Sequence, residues 1–229
     1  LIFNNQQRFL IHMPTGAGKT RTATEIILDF LRFSSSRALL SEKIKILWIA
    51  QSSELCYQAY ETVKFILDKK GSQNITFGHY YENHELPENI EDQSAIIFCG
   101  IQKLLQHYKE DIWSRIKNDN YLIIVDEAHN FFNSVVNGSK NASTMYNYIM
   151  NAKNLKLVFL TATPIINHPF ELVPLFNMLA GDKIMPTDYE MFCELFINFD
   201  TNTVKNKEIF KNRIYGLLSY MGDMWLTSV

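Results

Sequence analysis

The amino-acid sequence predicts an α/β domain built on a mainly parallel sheet with helices on both faces, followed by a helical C-terminal extension. Three observations carry that prediction. Near-continuous apolar runs recur along the chain, the mark of strands buried on both faces of a parallel sheet. The segments between them show the i, i+3, i+4, i+7 spacing of amphipathic helices. Polar or glycine-containing stretches stand where the runs end, as alternating strand and helix units require.

The first run, Phe9-Leu10-Ile11, breaks into Met13-Pro14-Thr15-Gly16-Ala17-Gly18-Lys19-Thr20. From Thr20 to about Phe33, the residues Ala23, Ile26, Ile27, Phe30 and Leu31 share one helical face, and Ser34-Ser35-Ser36 is expected to end that helix. Residues 45–50 form the second run, and Gln51-Ser52-Ser53-Glu54 can cap a helix running to about Asp68. A weaker strand from Asn74 to Tyr81 precedes a polar loop over 82–93. Residues 95–99 are another strand, and Ile101 starts a helix. The most hydrophobic strand, Tyr121-Leu122-Ile123-Ile124-Val125, delivers Asp126-Glu127-Ala128-His129 at its carboxyl end. Residues 130–141 read as a loop with Gly138 near its tip, followed by a helix from about Ser143 to Ala152. Lys156-Leu157-Val158-Phe159-Leu160 opens into Thr161-Ala162-Thr163-Pro164. Beyond His168 the pattern is helical: a run from Pro169 to Leu179 stops at Gly181, and further helices fall near 188–197 and 205–218. The expected division is a domain over 1–167 and a helical extension over 168–229.

With 229 residues and 47% hydrophobic content, the chain has material for a substantial core. A net charge of −2 excludes a strongly basic nucleic-acid protein, so any polynucleotide contact must use local donors. Cys56, Cys99 and Cys193 lie far apart without C-x-x-C spacing, which predicts buried, reduced thiols and a cytoplasmic or nuclear setting. No apolar run reaches the ~18–20 residues of a membrane span, and the start lacks a secretory leader's layout, so no membrane partner is expected. With no leader expected, the glycosylation patterns at Asn74, Asn137 and Asn141 are read as chance matches in an Asn-rich chain. Beginning at Leu1, almost inside a motif, the chain reads as a piece of a longer protein.

The stretch from Met13 to Thr20 has what a phosphate cradle needs. Loop N–H groups and a helix N-terminus face the anion, Lys19 reaches β- and γ-phosphates, and the Thr20 hydroxyl ligates Mg²⁺. The strict pattern has glycine where this chain has Met13. Asp126, at the end of a buried strand, can hold Mg²⁺ opposite that loop, and Glu127 can orient and deprotonate the attacking water. His129 is expected to hydrogen-bond towards Thr161 or Thr163. The pair Phe131-Phe132 fits core packing better than base stacking.

Together, Pro14 to Thr20, Asp126-Glu127-Ala128-His129 and Thr161-Ala162-Thr163-Pro164 resemble motifs I, II and III of superfamily-2 helicases and translocases, a family in which the place of Met13 varies. Residues 47–59 look like motif Ia, and Gly100-Ile101-Gln102-Lys103-Leu104 like the next segment that contacts nucleic acid. The resemblance spans about Phe9 to Pro164 and implies a RecA-like P-loop NTPase fold, the first of two lobes. It implies that Thr15, Gly16, Ala17, Gly18, Lys19, Thr20 and His129 serve ATP, and that Thr20 and Asp126 bind Mg²⁺. Lys19, Asp126 and Glu127 would be catalytic, and Thr161, Ala162 and Thr163 would couple hydrolysis to strand movement. Gln51, Ser52, Gly100, Ile101 and Gln102 would touch a DNA or RNA backbone.

More loosely, 165–179 and 213–220 are similar to helicase-like ATPases of large DNA viruses, of the poxvirus early-transcription-factor and nucleoside-triphosphatase types. That likeness implies transcription-complex partners and a virion or viral-factory setting. The second RecA-like lobe, with its arginine finger, is absent from the sequence, which implies that this piece alone hydrolyses ATP very slowly. Two alternatives accompany the motor reading. One is a catalytically silent lobe used as a binding or assembly module in a transcription or virion complex. The other is a motor that tracks duplex DNA without unwinding it.

Overall fold

The apolar runs become six parallel strands of one sheet in the computed structural model, which describes residues 7–36, 43–71, 75–106, 121–152 and 155–217. In chain order they are β1 (Arg8–His12), β2 (Lys45–Ala50), β3 (Thr76–Tyr80), β4 (Ala95–Gly100), β5 (Tyr121–Val125) and β6 (Lys156–Thr161). Their order across the sheet is β1-β6-β5-β2-β4-β3. β2, β4 and β6 are buried along their whole length, because alternate side chains enter apolar layers on opposite faces. Ile46 and Trp48 pack with Ile27 and Phe30 of α1 (Lys19–Ser36) and with Val63 of α2 (Ser53–Lys69). Leu47 and Ile49 enter the other layer. Its helices are α3 (Ile101–Gln106), α4 (Ala128–Val136), α5 (Lys140–Asn151), α6 (Leu172–Ala180) and α7 (Tyr189–Phe196). The predicted doubly covered parallel sheet is what forms.

Several boundaries differ from the sequence reading. α1 takes in the three serines, running to Ser36 rather than about Phe33, because no glycine or proline breaks it before then. The expected loop over 130–141 is mostly helix: α4 occupies 128–136, with Ala128, Phe131 and Phe132 buried at helical spacing. Gly138, at φ +73°, then turns the chain, and α5 starts at Lys140 rather than near Ser143, capped by Ser139, which accepts from Ala142 N–H at 3.4 Å. Residues 169–171 form a short 3₁₀ turn before α6, which ends where Gly181 adopts φ +73°. After α7, capped by Asp188, a two-residue hairpin not foreseen in the sequence pairs β7 (Ile197–Asn198) with β8 (Thr203–Val204), and α8 (Lys207–Ile214) follows. Asn74 and the residues beyond 217 lie outside the described residues.

Leu175, Phe176 and Phe192 share one apolar cluster with Val125 and Phe159, so the helices after 168 close the face of the sheet that α4 and α5 begin to cover. The three cysteines are buried free thiols, and burial pushes Cys56 up to about 12. Among the described residues no helix is long and apolar enough to cross a membrane.

Candidate active site

Parallel pairing sets β1, β6 and β5 side by side, so the segments leaving their carboxyl ends meet. Ligands of open α/β sheets sit at this edge. The Met13 N–H donates to Thr161 O at 3.0 Å and His12 Nε2 lies 2.7 Å from Ala162 O, which joins the 13–20 loop to the end of β6. On the other side, Asp126 N–H donates to Ile49 O at 2.8 Å and ties the end of β5 to β2.

The loop turns on Gly16 (φ +78°) and Gly18 (φ +92°), in the left-handed region that glycine adopts without penalty. A Cβ at either would meet nothing within 4 Å, so the requirement comes from the backbone alone. Residues 14–18, including Thr15 and Ala17, are exposed, whereas Lys19 at the start of α1 is buried. A helix start leaves N–H groups without intrahelical acceptors and carries partial positive charge, so α1 supplies an anion-binding end here.

Lys19 Nζ stands 3.1 Å from Glu127 Oε1, with the side chains 8% and 24% exposed. Glu127 itself has φ +46° and ψ +50°, a left-handed conformation that costs a non-glycine residue about 1 kcal/mol or more. That kink at the junction of β5 and α4 is where the carboxylate turns towards Lys19. Asp126 is half-buried, its Oδ1 accepts the Glu127 N–H at 3.0 Å, and desolvation first and Glu127 second raise its pKa to about 6. A desolvated carboxylate beside a second acid favours a bound cation, and carboxylate and hydroxyl oxygens such as those of Asp126 and Thr20 are hard donors of the kind that suit Mg²⁺.

The Thr161 hydroxyl donates to Thr163 O at 2.8 Å and accepts the Thr163 N–H at 3.1 Å. Its single proton is thereby placed, so the 2.8 Å contact with His129 Nδ1 is donated by the imidazole. The same Nδ1 lies 3.4 Å from Glu127 Oε2, and burial holds the ring below its ordinary pKa. Lys19, Glu127, His129, Thr161 and Thr163 therefore form one continuous polar chain across three strand ends.

A cleft beside this chain is lined by Ala50, Gln51, Ile101, Asp126, Glu127 and Asn130, which brings two of the residues expected to contact nucleic acid next to the paired acids. Gln51 and Gln102 are exposed. Ser52 caps α2, its Oγ accepting from Leu55 N–H at 3.3 Å. Gly100 is buried, and a Cβ there would lie 3.2 Å from that of Tyr81, so close chain approach already requires this glycine. Phe131 and Phe132 are buried, as expected of core residues. Sequence reasoning missed Glu171 and Asn133, which bond to each other at 2.8 Å beside the 161–167 segment. The available signal was a lone acid inside the apolar stretch from Phe170 to Leu179.

A protein-family model described as "Type III restriction enzyme, res subunit" matches residues 1–166. The chain is 46% identical over 105 residues to the Termination factor NPH-I homolog of African swine fever virus, covering 44% of this chain and 15% of that protein. It is 32% identical over 122 residues to Nucleoside triphosphatase I of Melanoplus sanguinipes entomopoxvirus, covering 49% of this chain and 17% of that protein. The chain thus spans a small part of the length of these relatives. Among solved structures, S. cerevisiae Dbp5 bound to RNA and ADP BeF3 is similar in fold, with a TM-score of 0.55, 16% identity, and coverage of 79% of this chain and 42% of that one.

Proposed function

We propose that this chain, which belongs to the family of the Type III restriction enzyme res subunit and is a first RecA-like lobe of the superfamily-2 helicase kind, couples ATP hydrolysis to movement along DNA or RNA. The expected extension over 168–229, described as far as 217, then leads to a second lobe. The observation that carries the reading is the 3.1 Å pair between Lys19 and Glu127, because it sets a phosphate-binding loop against a candidate base. The viral relatives named as a termination factor homolog and a nucleoside triphosphatase support nucleotide chemistry.

Lys19 exchanges Glu127 for the β- and γ-phosphates, with Thr15, Gly16, Ala17, Gly18 and Thr20 cradling the anion. Glu127, released from that pair, orients the attacking water and takes its proton. Bound Mg²⁺, held by Thr20 and Asp126, would neutralise phosphate charge. His129 passes the change in Glu127 to Thr161, and so to the backbone of Ala162 and Thr163. Gln51, Ser52, Gly100, Ile101 and Gln102 line the track at the same strand edge, offering amide, hydroxyl and N–H donors to phosphates. No observation favours the catalytically silent module, and the complete set of Lys19, Thr20, Asp126 and Glu127 argues against it.

The test is ATP turnover by the intact protein and its Glu127→Gln variant, with and without single- and double-stranded DNA and RNA. Stimulation by one nucleic acid, lost in the variant, is the expected result. Turnover that ignores every nucleic acid, or that survives Glu127→Gln, would sink the proposal.

A further inference from the structure

Glu171 has no part in phosphate chemistry, yet it is 1% exposed and surrounded by donors. Its Oε2 accepts the Ile166 N–H at 2.7 Å, and its Oε1 accepts the Asn167 N–H at 3.2 Å and Asn133 Nδ2 at 2.8 Å. A buried carboxylate is tolerated only when hydrogen bonds replace its hydration, so this arrangement is specified rather than incidental. Two of the donors belong to the segment after β6, and the third belongs to α4.

The position of Asn133 gives the contact its meaning. It follows His129 by one helical turn, so both side chains leave the same face of α4. His129 holds Thr161 at one end of the 161–167 segment, and Asn133, through Glu171, holds Ile166 and Asn167 at the other. A segment fixed to a helix at one end can swing about that end. Fixed at both ends, it must follow the helix.

We propose that Glu171 is a positioning residue that clamps the 161–167 segment to α4, so that the two move as one body when the partners of Lys19 and Glu127 change. This rests on the coupling role proposed above for Thr161 and Thr163. The clamp needs acceptor geometry rather than charge. A glutamine at 171 whose oxygen takes the place of Oε2 stays 2.7 Å from Ile166 N and 3.4 Å from Asn167 N, and its amide nitrogen meets Asn133 once that amide turns over together with that of Asn137, which donates to Asn133 Oδ1 at 2.9 Å. Asn133→Ala, in contrast, severs the link to α4 while leaving both backbone N–H groups on Glu171.

The experiment is hydrogen exchange on the full chain, with and without a non-hydrolysable ATP analogue and Mg²⁺, for the wild type, Asn133→Ala and Glu171→Gln. Analogue binding is measured on the same samples by equilibrium dialysis. In the wild type, binding slows exchange in 128–136 and 161–167 together. In Asn133→Ala the slowing persists in 128–136, while 161–167 exchanges about tenfold faster than in the bound wild type. Glu171→Gln retains the joint response, which a merely destabilised loop would not do. A joint response in Asn133→Ala, or separate responses in a wild type that binds the analogue, overturns the clamp while the nucleotide reading stands. Failure of the wild type to bind the analogue overturns that reading, and the clamp with it.

Discussion

At residue scale the site depends on where single protons and single carbonyls point. Thr161 is fully buried, and its hydroxyl joins His129 to both backbone groups of Thr163. Thr161→Val keeps the shape and removes those bonds, so the expected loss of stability is about 1–3 kcal/mol, while Thr161→Ser stays near the wild type. Urea denaturation measures both, and an unchanged midpoint for the valine variant would show that the hydroxyl network does not hold the segment. That Lys19, Asp126 and Glu127 meet at one edge was legible in the sequence because the chemistry proposed for them requires fixed residue types after a strand. Glu171 was not, since an acid amid apolar residues reads equally as a surface charge. Only packing shows that Asn133 and two backbone N–H groups receive it. The left-handed backbone of Glu127 was invisible for a related reason: the conformation is imposed by the junction of β5 and α4, not by the preference of glutamate.

At the scale of elements, continuous apolar runs made the buried strands easy to find, because both faces of a parallel sheet are covered. α4 was harder. Asn130, Asn133, Asn137 and Gly138 read as loop, and they outweighed the helical spacing of Ala128, Phe131, Phe132, Val135 and Val136. The two-residue strands β7 and β8 are too short to leave any pattern. In α4 the anchor is Phe132, fully buried and edge-on to Phe159 of β6 with ring centroids 5.0 Å apart. Phe132→Ala is expected to lower stability by about 3–5 kcal/mol by leaving a cavity between helix and sheet. Thermal unfolding checks it. A variant with wild-type stability but weakened nucleic-acid binding would instead make Phe132 a stacking residue.

At the scale of the whole molecule, function follows from strand order, which the sequence does not disclose. Hydrophobic pattern identifies a strand but not its neighbours, and a crossover of about a dozen residues or more can carry the chain to any parallel position in the sheet. Here β6 lies between β1 and β5, so three segments far apart in the chain share one edge. A ligand that touches all three should therefore stabilise the fold as a unit, since unfolding of any one strand destroys the site. Nucleotide with Mg²⁺ at a hundred times its dissociation constant adds about 2.7 kcal/mol, which for a chain of this size raises the melting temperature by about 5–10 °C. Lys19→Met keeps the buried aliphatic stem and removes the charge that faces both Glu127 and the proposed phosphates. It should melt cooperatively yet lose most of the nucleotide-dependent shift. An equal shift in that variant would place the nucleotide away from the loop at 13–20, and no shift in the wild type would remove the nucleotide from this edge of the sheet altogether.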